Sequence, residues 1–212
     1  MAEADRRPLK SRETRWAHAL TKGLIRMRVS PNRISASSII FALVGAFCLV
    51  QVETWHWWAW LGAAACAQLR LLANLLDGMV AVGSGQSSPV GELFNEVPDR
   101  ISDVLFLAAL GFVPGSHPYL GGLAAILAVF VAYIRAMGVV SGAGQCFSGW
   151  MSKPKRMFVF TVVCLWMACW PDRFSYRGLG VAGWALVLII AGCIQTSWIR
   201  LAWISKRLRS GA

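Results

Sequence analysis

The sequence predicts an all-α integral membrane protein: six transmembrane helices preceded by an N-terminal amphipathic interfacial helix. Three observations carry that expectation. The 212 residues are 57% hydrophobic and only 15% charged, a composition far from that of a soluble domain. Long apolar runs recur between short breaks rich in Pro, Gly and Ser. The basic residues gather outside those runs: nine of the 21 Lys and Arg precede residue 34, four lie at or after Arg200, and Lys153, Lys155 and Arg156 share one loop. A net charge of +11 distributed in this way fits flanks that touch anionic lipid headgroups. No nucleic-acid motif accompanies it, so membrane lipids are expected partners and nucleic acid is not.

A single membrane domain over 1–212 accounts for the chain, with a basic interfacial segment over 1–30 and a six-helix domain over 31–205. Over 6–30, Trp16, Leu20, Leu24 and Met27 recur at helical spacing among Arg12, Arg15, Lys22 and Arg26, the pattern of a helix lying on the membrane surface. Ser30-Pro31-Asn32 reads as a turn and cap before the first span, 34–50. Trp55, Trp57, Trp58 and Trp60 read as an interfacial aromatic belt opening the second span, which runs to about 82. The third span covers 91–113 and contains Pro98, the fourth 119–140, the fifth opens at Ser152-Lys-Pro-Lys-Arg156 and ends near 170, and the sixth covers 179–199. Six spans put both termini on one side, and the basic flanks make that side the cytoplasm. The six cysteines form no CxxC and read as small buried hydrophobes.

Half of the acids lie in one stretch. Asp77, Glu92, Glu96, Asp99 and Asp103 are five of the ten Asp and Glu, and they fall inside predicted spans, where a carboxylate is costly and marks function. Asn74 and Asp77 are three apart, and Asn95, Asp99 and Asp103 are four apart, so each set shares a helical face. The short, turn-rich segment 83–89 returns the chain and predicts that the two faces meet. Oxygen ligands from two helices suit a hard cation, and two such ions about 4 Å apart would clamp a diphosphate. Arg70, one to two turns before Asn74, reads as a buried counter-ion more than as a substrate contact.

This stretch resembles the signature of the CDP-alcohol phosphotransferases, Asp-x-x-Asp-Gly-x-x-Ala-Arg, eight residues, then Gly-x-x-x-Asp-x-x-x-Asp. Asp77, Gly78, Ala81, Gly91 and Asp99 match at full spacing. Asn74, Asn95 and Val82 stand where the family has Asp, Asp and Arg. The resemblance implies a membrane transferase that moves a phosphatidyl (phosphoryl-alcohol) group from CDP-diacylglycerol or another CDP-alcohol to an acceptor alcohol, releasing CMP. It implies Mg²⁺ or Mn²⁺ on Asn74, Asp77, Asn95 and Asp99, and a CDP site shaped by Asp77, Gly78, Ala81 and Gly91. Asp99 would be the general base. Arg135, Lys153, Lys155 and Arg156 are acceptor-binding candidates by the same resemblance, although simple cytoplasmic charge bias accounts for the last three equally well. Asp103, one turn from Asp99, is expected to compensate charge missing at the two asparagines.

The expected location is the inner membrane of a bacterial cell, with site and termini toward the cytoplasm. Spans rich in small residues permit a homodimer. A second reading stays open: a catalytically degenerate relative that keeps the fold and binds lipid or a partner. The two lost acids favour it, and the retained buried acids oppose it. A cation-coupled transporter is weaker, because the acids lie toward one membrane face and no inverted repeat is visible.

Overall fold

Residues 14–85, 89–171 and 174–210 are described by a computed structural model, which leaves out the side chains of residues 89, 90, 92 and 94. The start of the basic N-terminal segment, and Glu92 among the predicted acids, therefore lie outside what is described. Helix α1 (Arg15–Arg26) packs on the helix over 57–83 and buries Ala17 and Thr21, while Trp16, Leu20 and Met27 stay exposed. An apolar stripe beside Arg15, Lys22 and Arg26 is the face that a lipid interface accepts. Arg28, with φ 54°, ends this segment in left-handed backbone. Pro31 at the first position then opens α2 (Pro31–Val50), where its missing N–H costs nothing.

A four-residue turn of helix, α3 (Val52–Trp55), leads into α4 (Trp57–Gly83), and α5 (Pro89–Gly111) continues unbroken through Pro98. Helices α6 (Pro118–Val140), α7 (Lys153–Cys169) and α8 (Val181–Ser210) complete the bundle. Four of these, α2, α4, α6 and α8, are long and apolar enough to cross a membrane. Helix α5 carries Glu96, Asp99, Arg100 and Asp103 within its length, and α7 has only 17 residues.

Among the described residues, the departure from all-α is a two-residue ladder between β1 (Ser175–Tyr176) and β2 (Leu179–Gly180). Arg177 and Gly178 both take positive φ, the turn whose twist matches such a hairpin. The last helix also runs well beyond the predicted 179–199. Arg200 is not a flank at its end but is buried within it.

Contacts close the six long helices into a ring in the order α4, α2, α5, α6, α8, α7 and back to α4. Lipid tails are as apolar as leucine, so close packing rather than water exclusion must hold such a ring. The inner faces are accordingly small: Ala59, Ala63 and Ala67 on α4, and Ala124, Ala125 and Ala128 on α6. A Cβ at Gly45 would lie 2.5 Å from the Phe106 ring, and one at Gly121 would lie 2.8 Å from the Leu107 carbonyl oxygen. Only glycine allows those approaches. Of the predicted aromatic belt, Trp55, Trp57 and Trp58 face outward, and Trp60 turns into the core. All six cysteines are unpaired, and all but Cys169 are buried.

Candidate active site

Helices α4 and α5 touch only sparsely, and α2 packs against both, so the two acid-bearing faces look across a gap instead of interlocking. Their side chains still meet. Arg70 pairs with Asp99 and Asp103, Asn74 with Asp99, and Asn95 with Asp77. Numbers rise along α4 as partners fall along α5, which is the antiparallel return predicted from the short connection.

Asp99 is the hub. Its Oδ1 accepts from Arg70 Nη2 at 3.3 Å and from the Asn74 amide, and its Oδ2 accepts from the Lys153 ammonium. Arg100 Nη2 lies 3.6 Å from the same Oδ2. Asp77, also buried, accepts from the Ser35 hydroxyl on α2 at 2.6 Å and from the Asn95 amide at 3.5 Å. Carboxylate and amide oxygens both suit a hard divalent cation, and rotating either amide would present its oxygen in place of its N–H₂. The donor set therefore fits such an ion. It is a lean set, since among the described residues no group of three His, Cys, Asp or Glu is placed to hold a metal.

Asp103, expected to make up missing charge, is engaged elsewhere. Its Oδ1 lies 3.1 Å from Arg70 Nη2 and its Oδ2 2.6 Å from Arg156 Nη2, with all three side chains buried. Arg70 is fully buried and is a counter-ion, as its position in the sequence suggested. Arg156 also donates to the Met151 carbonyl at 3.1 Å, so this acceptor candidate braces the fold. Lys155 is exposed, away from the acids. Arg135, on α6, pairs with Glu96 and lies over the Phe147 ring at 5.9 Å, while Arg100 holds the other Glu96 oxygen at 3.2 Å. Of the four cationic candidates, Lys153 and Arg135 reach acids of α5 at the edge of the gap.

Lys153 owes its position to α8. The Trp150 N–H donates to Gln195 at 3.1 Å and the Met151 N–H to Thr196 at 2.8 Å. Arg200 donates to the Ser148 carbonyl at 3.1 Å and to the Val131 carbonyl on α6 at 2.8 Å. These bonds tie down the segment before α7 and so aim its first residue. Sequence reasoning missed this role for Arg200, although its apolar neighbours Ile199 and Leu201 already argued against a solvated flank.

The sequence profile of the CDP-alcohol phosphatidyltransferases matches residues 28–198. The chain belongs to this family. It is a multi-pass membrane transferase that moves a phosphatidyl group from a CDP-linked lipid to an acceptor hydroxyl in phospholipid biosynthesis. An archaetidylinositol phosphate synthase from Aeropyrum pernix is 28% identical over 203 residues, 93% of this chain and 94% of that protein. Inner membrane protein YnbA of Escherichia coli is 25% identical over 111 residues, 52% of this chain and 55% of that protein.

Solved structures show the same fold. The phosphatidylinositol phosphate synthase of Mycobacterium tuberculosis with CDP-DAG bound has a TM-score of 0.73 at 18% identity, covering 90% of this chain and 94% of that one. The same enzyme with manganese and citrate scores 0.72, also at 18% identity, covering 89% and 88%. Against the family signature, Asp77 and Asp99 keep their carboxylates in the gap. The partly buried Asn74 and Asn95 pair with them where the family has acids, and Val82 leaves an exposed apolar side chain where it has Arg.

Proposed function

We propose that the chain transfers the phosphatidyl group of CDP-diacylglycerol to the hydroxyl of a phosphorylated polyol. The pairing of Asn74 with Asp99 and of Asn95 with Asp77 across one gap, with Lys153 at its rim, is the observation that carries this reading. The donor is argued from the relative that carries CDP-DAG. The acceptor class is argued from relatives named as phosphatidylinositol phosphate and archaetidylinositol phosphate synthases, and from the cations at the rim.

In this reading Asn74, Asp77, Asn95 and Asp99 hold the divalent cation, Mg²⁺ or Mn²⁺. When bound, it neutralises the diphosphate and the CMP leaving group. Gly78, Ala81 and Gly91 have no bulky side chain and leave room for the cytidine diphosphate. The acceptor hydroxyl gives its proton to Asp99 while its oxygen bonds to the lipid-side phosphorus, and the bond from that phosphorus to CMP breaks. Arg135 and Lys153 meet the acceptor's phosphate. With three N–H donors, the Lys153 ammonium is able to hold Asp99 and that phosphate together.

Six crossings complete the proposal, with α5 and α7 joining the four long apolar helices. In a closed ring, Asp99 and Asp103 of α5 face protein, Glu96 is paired with Arg100 and Arg135, and Arg156 is shielded by Asp103. The whole chain then forms one membrane domain, with the site and the basic termini toward the cytoplasm of a bacterial inner membrane.

The purified protein in lipid nanodiscs is expected to release CMP from CDP-diacylglycerol when a polyol phosphate and Mn²⁺ or Mg²⁺ are supplied, and to stop on chelation. CMP release unaffected by chelation would remove the metal from this account. No CMP release and no cytidine-nucleotide binding would leave a degenerate relative, the reading favoured by Asn74, Asn95 and Val82.

A further inference from the structure

Three buried carboxylates line the bundle interior, and they are not equivalent. Asp103 has both oxygens on guanidiniums, those of Arg70 and Arg156. Asp99 has Arg70 on one oxygen and Lys153 on the other, with Arg100 close by. Among the described residues, Asp77 is the buried carboxylate that has no ion pair; its partners are the neutral Ser35 hydroxyl and Asn95 amide. Positive charge has thus been built in at two of the three acids and left out at one.

We propose that the site binds one divalent cation, at Asp77, and that the Lys153 ammonium holds Asp99 in place of a second ion. This rests on the transferase reading and narrows the four-residue ligand set given there: Asp99, held by Lys153 and Arg70, leaves the set and keeps its role as the base. Two dications about 4 Å apart repel each other and need carboxylates to bridge and neutralise them. Here two of the four ligand positions are amides, which donate an oxygen but no charge. One dication remains supportable, because Mg²⁺ and Mn²⁺ bind through one or two carboxylates when a substrate phosphate supplies the rest. At Asp99, by contrast, an incoming dication would have to displace a cation and approach two guanidiniums.

The position of Lys153 is part of the fold. Gln195, Thr196 and Arg200 fix the preceding segment, and Arg156 ties the Met151 carbonyl to the base of the site, so the first residue of α7 is delivered to Asp99 with little freedom. A lysine held in that way supplies its single charge without any ion from solution.

The test is a Mn²⁺ titration of the full-length protein in nanodiscs containing CDP-diacylglycerol. Bound Mn²⁺ is counted by equilibrium dialysis and its magnetic environment read by low-temperature electron paramagnetic resonance. The expected result is one Mn²⁺ per chain with the hyperfine pattern of an isolated ion. Asp77→Asn should weaken it about 10- to 100-fold, and Asp99→Asn should change it by less than about 3-fold. Two ions per chain with a spin-coupled spectrum would overturn the proposal, as would a single ion lost equally in both variants. Each of those results is compatible with CMP formation once a polyol phosphate is added to the sample. Failure of the transferase reading itself shows separately, as absence of CMP after a polyol phosphate is added, whatever the ion count.

Discussion

Asp99→Asn should lower CMP release from CDP-diacylglycerol by a factor of about 10² to 10⁴, the range lost when a general base is removed. The substitution changes charge and basicity while keeping shape. The amide oxygen still accepts from Arg70, whose guanidinium also retains Asp103, so the helices have reason to stay in register. Lys153 loses its counter-ion but keeps its place at the rim, where its side chain is partly solvated and water can stabilise the ammonium. The loss should therefore appear in kcat with little change in the thermal unfolding midpoint. Turnover within about 3-fold of the parent would remove Asp99 as the base.

The largest stability effect is expected one turn away. Asp103→Ala leaves the buried Arg156 guanidinium with the Met151 carbonyl and the Cys193 sulfur, and no carboxylate, whereas Arg70 keeps Asp99. Removing one member of a buried ion pair typically costs about 3–5 kcal/mol, because the other charge stays buried without compensation. Asp103→Ala should accordingly lose a large part of the folded fraction in detergent. The double variant Asp103→Leu with Arg156→Met should recover much of it, since it removes the stranded charge along with its partner. A single variant as stable as the parent would show that Arg156 finds solvent or another acceptor. A double variant no better than the single one would show that the loss came from packing.

These residues also mark how far the sequence could be read. Asn74 with Asp77, and Asn95 with Asp99, were legible because spacings of three and four place residues on one helical face, and because the short segment between them returns the chain. Arg70 was legible as a counter-ion because an arginine deep in an apolar run must pair with something. The partner of Asp103 was not legible: Arg156 lies 53 residues away, and no local periodicity reports a contact at that distance. Lys153, Lys155 and Arg156 looked alike as a basic loop. Once α7 forms, one turns to Asp99, one to solvent and one into the core, a separation that depends on helix phase and on the brace from α8. That brace hid Arg200 as well, since an arginine near a chain end resembles a membrane flank until the helix is seen to run ten residues further. The short loop suggested that α4 and α5 pack together, yet their backbones approach closely at few points, α2 packs against both, and long polar side chains join them.

The most direct measurement of the central claim is the lipid product itself. Nanodiscs holding the protein and CDP-diacylglycerol would be incubated with Mn²⁺ and a panel of free and phosphorylated polyols, and the lipids analysed by mass spectrometry. The account predicts a new phospholipid whose mass is the phosphatidyl group joined to a phosphorylated polyol, formed one for one with CMP. CDP-diacylglycerol recovered intact with every acceptor, or converted only to phosphatidic acid by water, would contradict it.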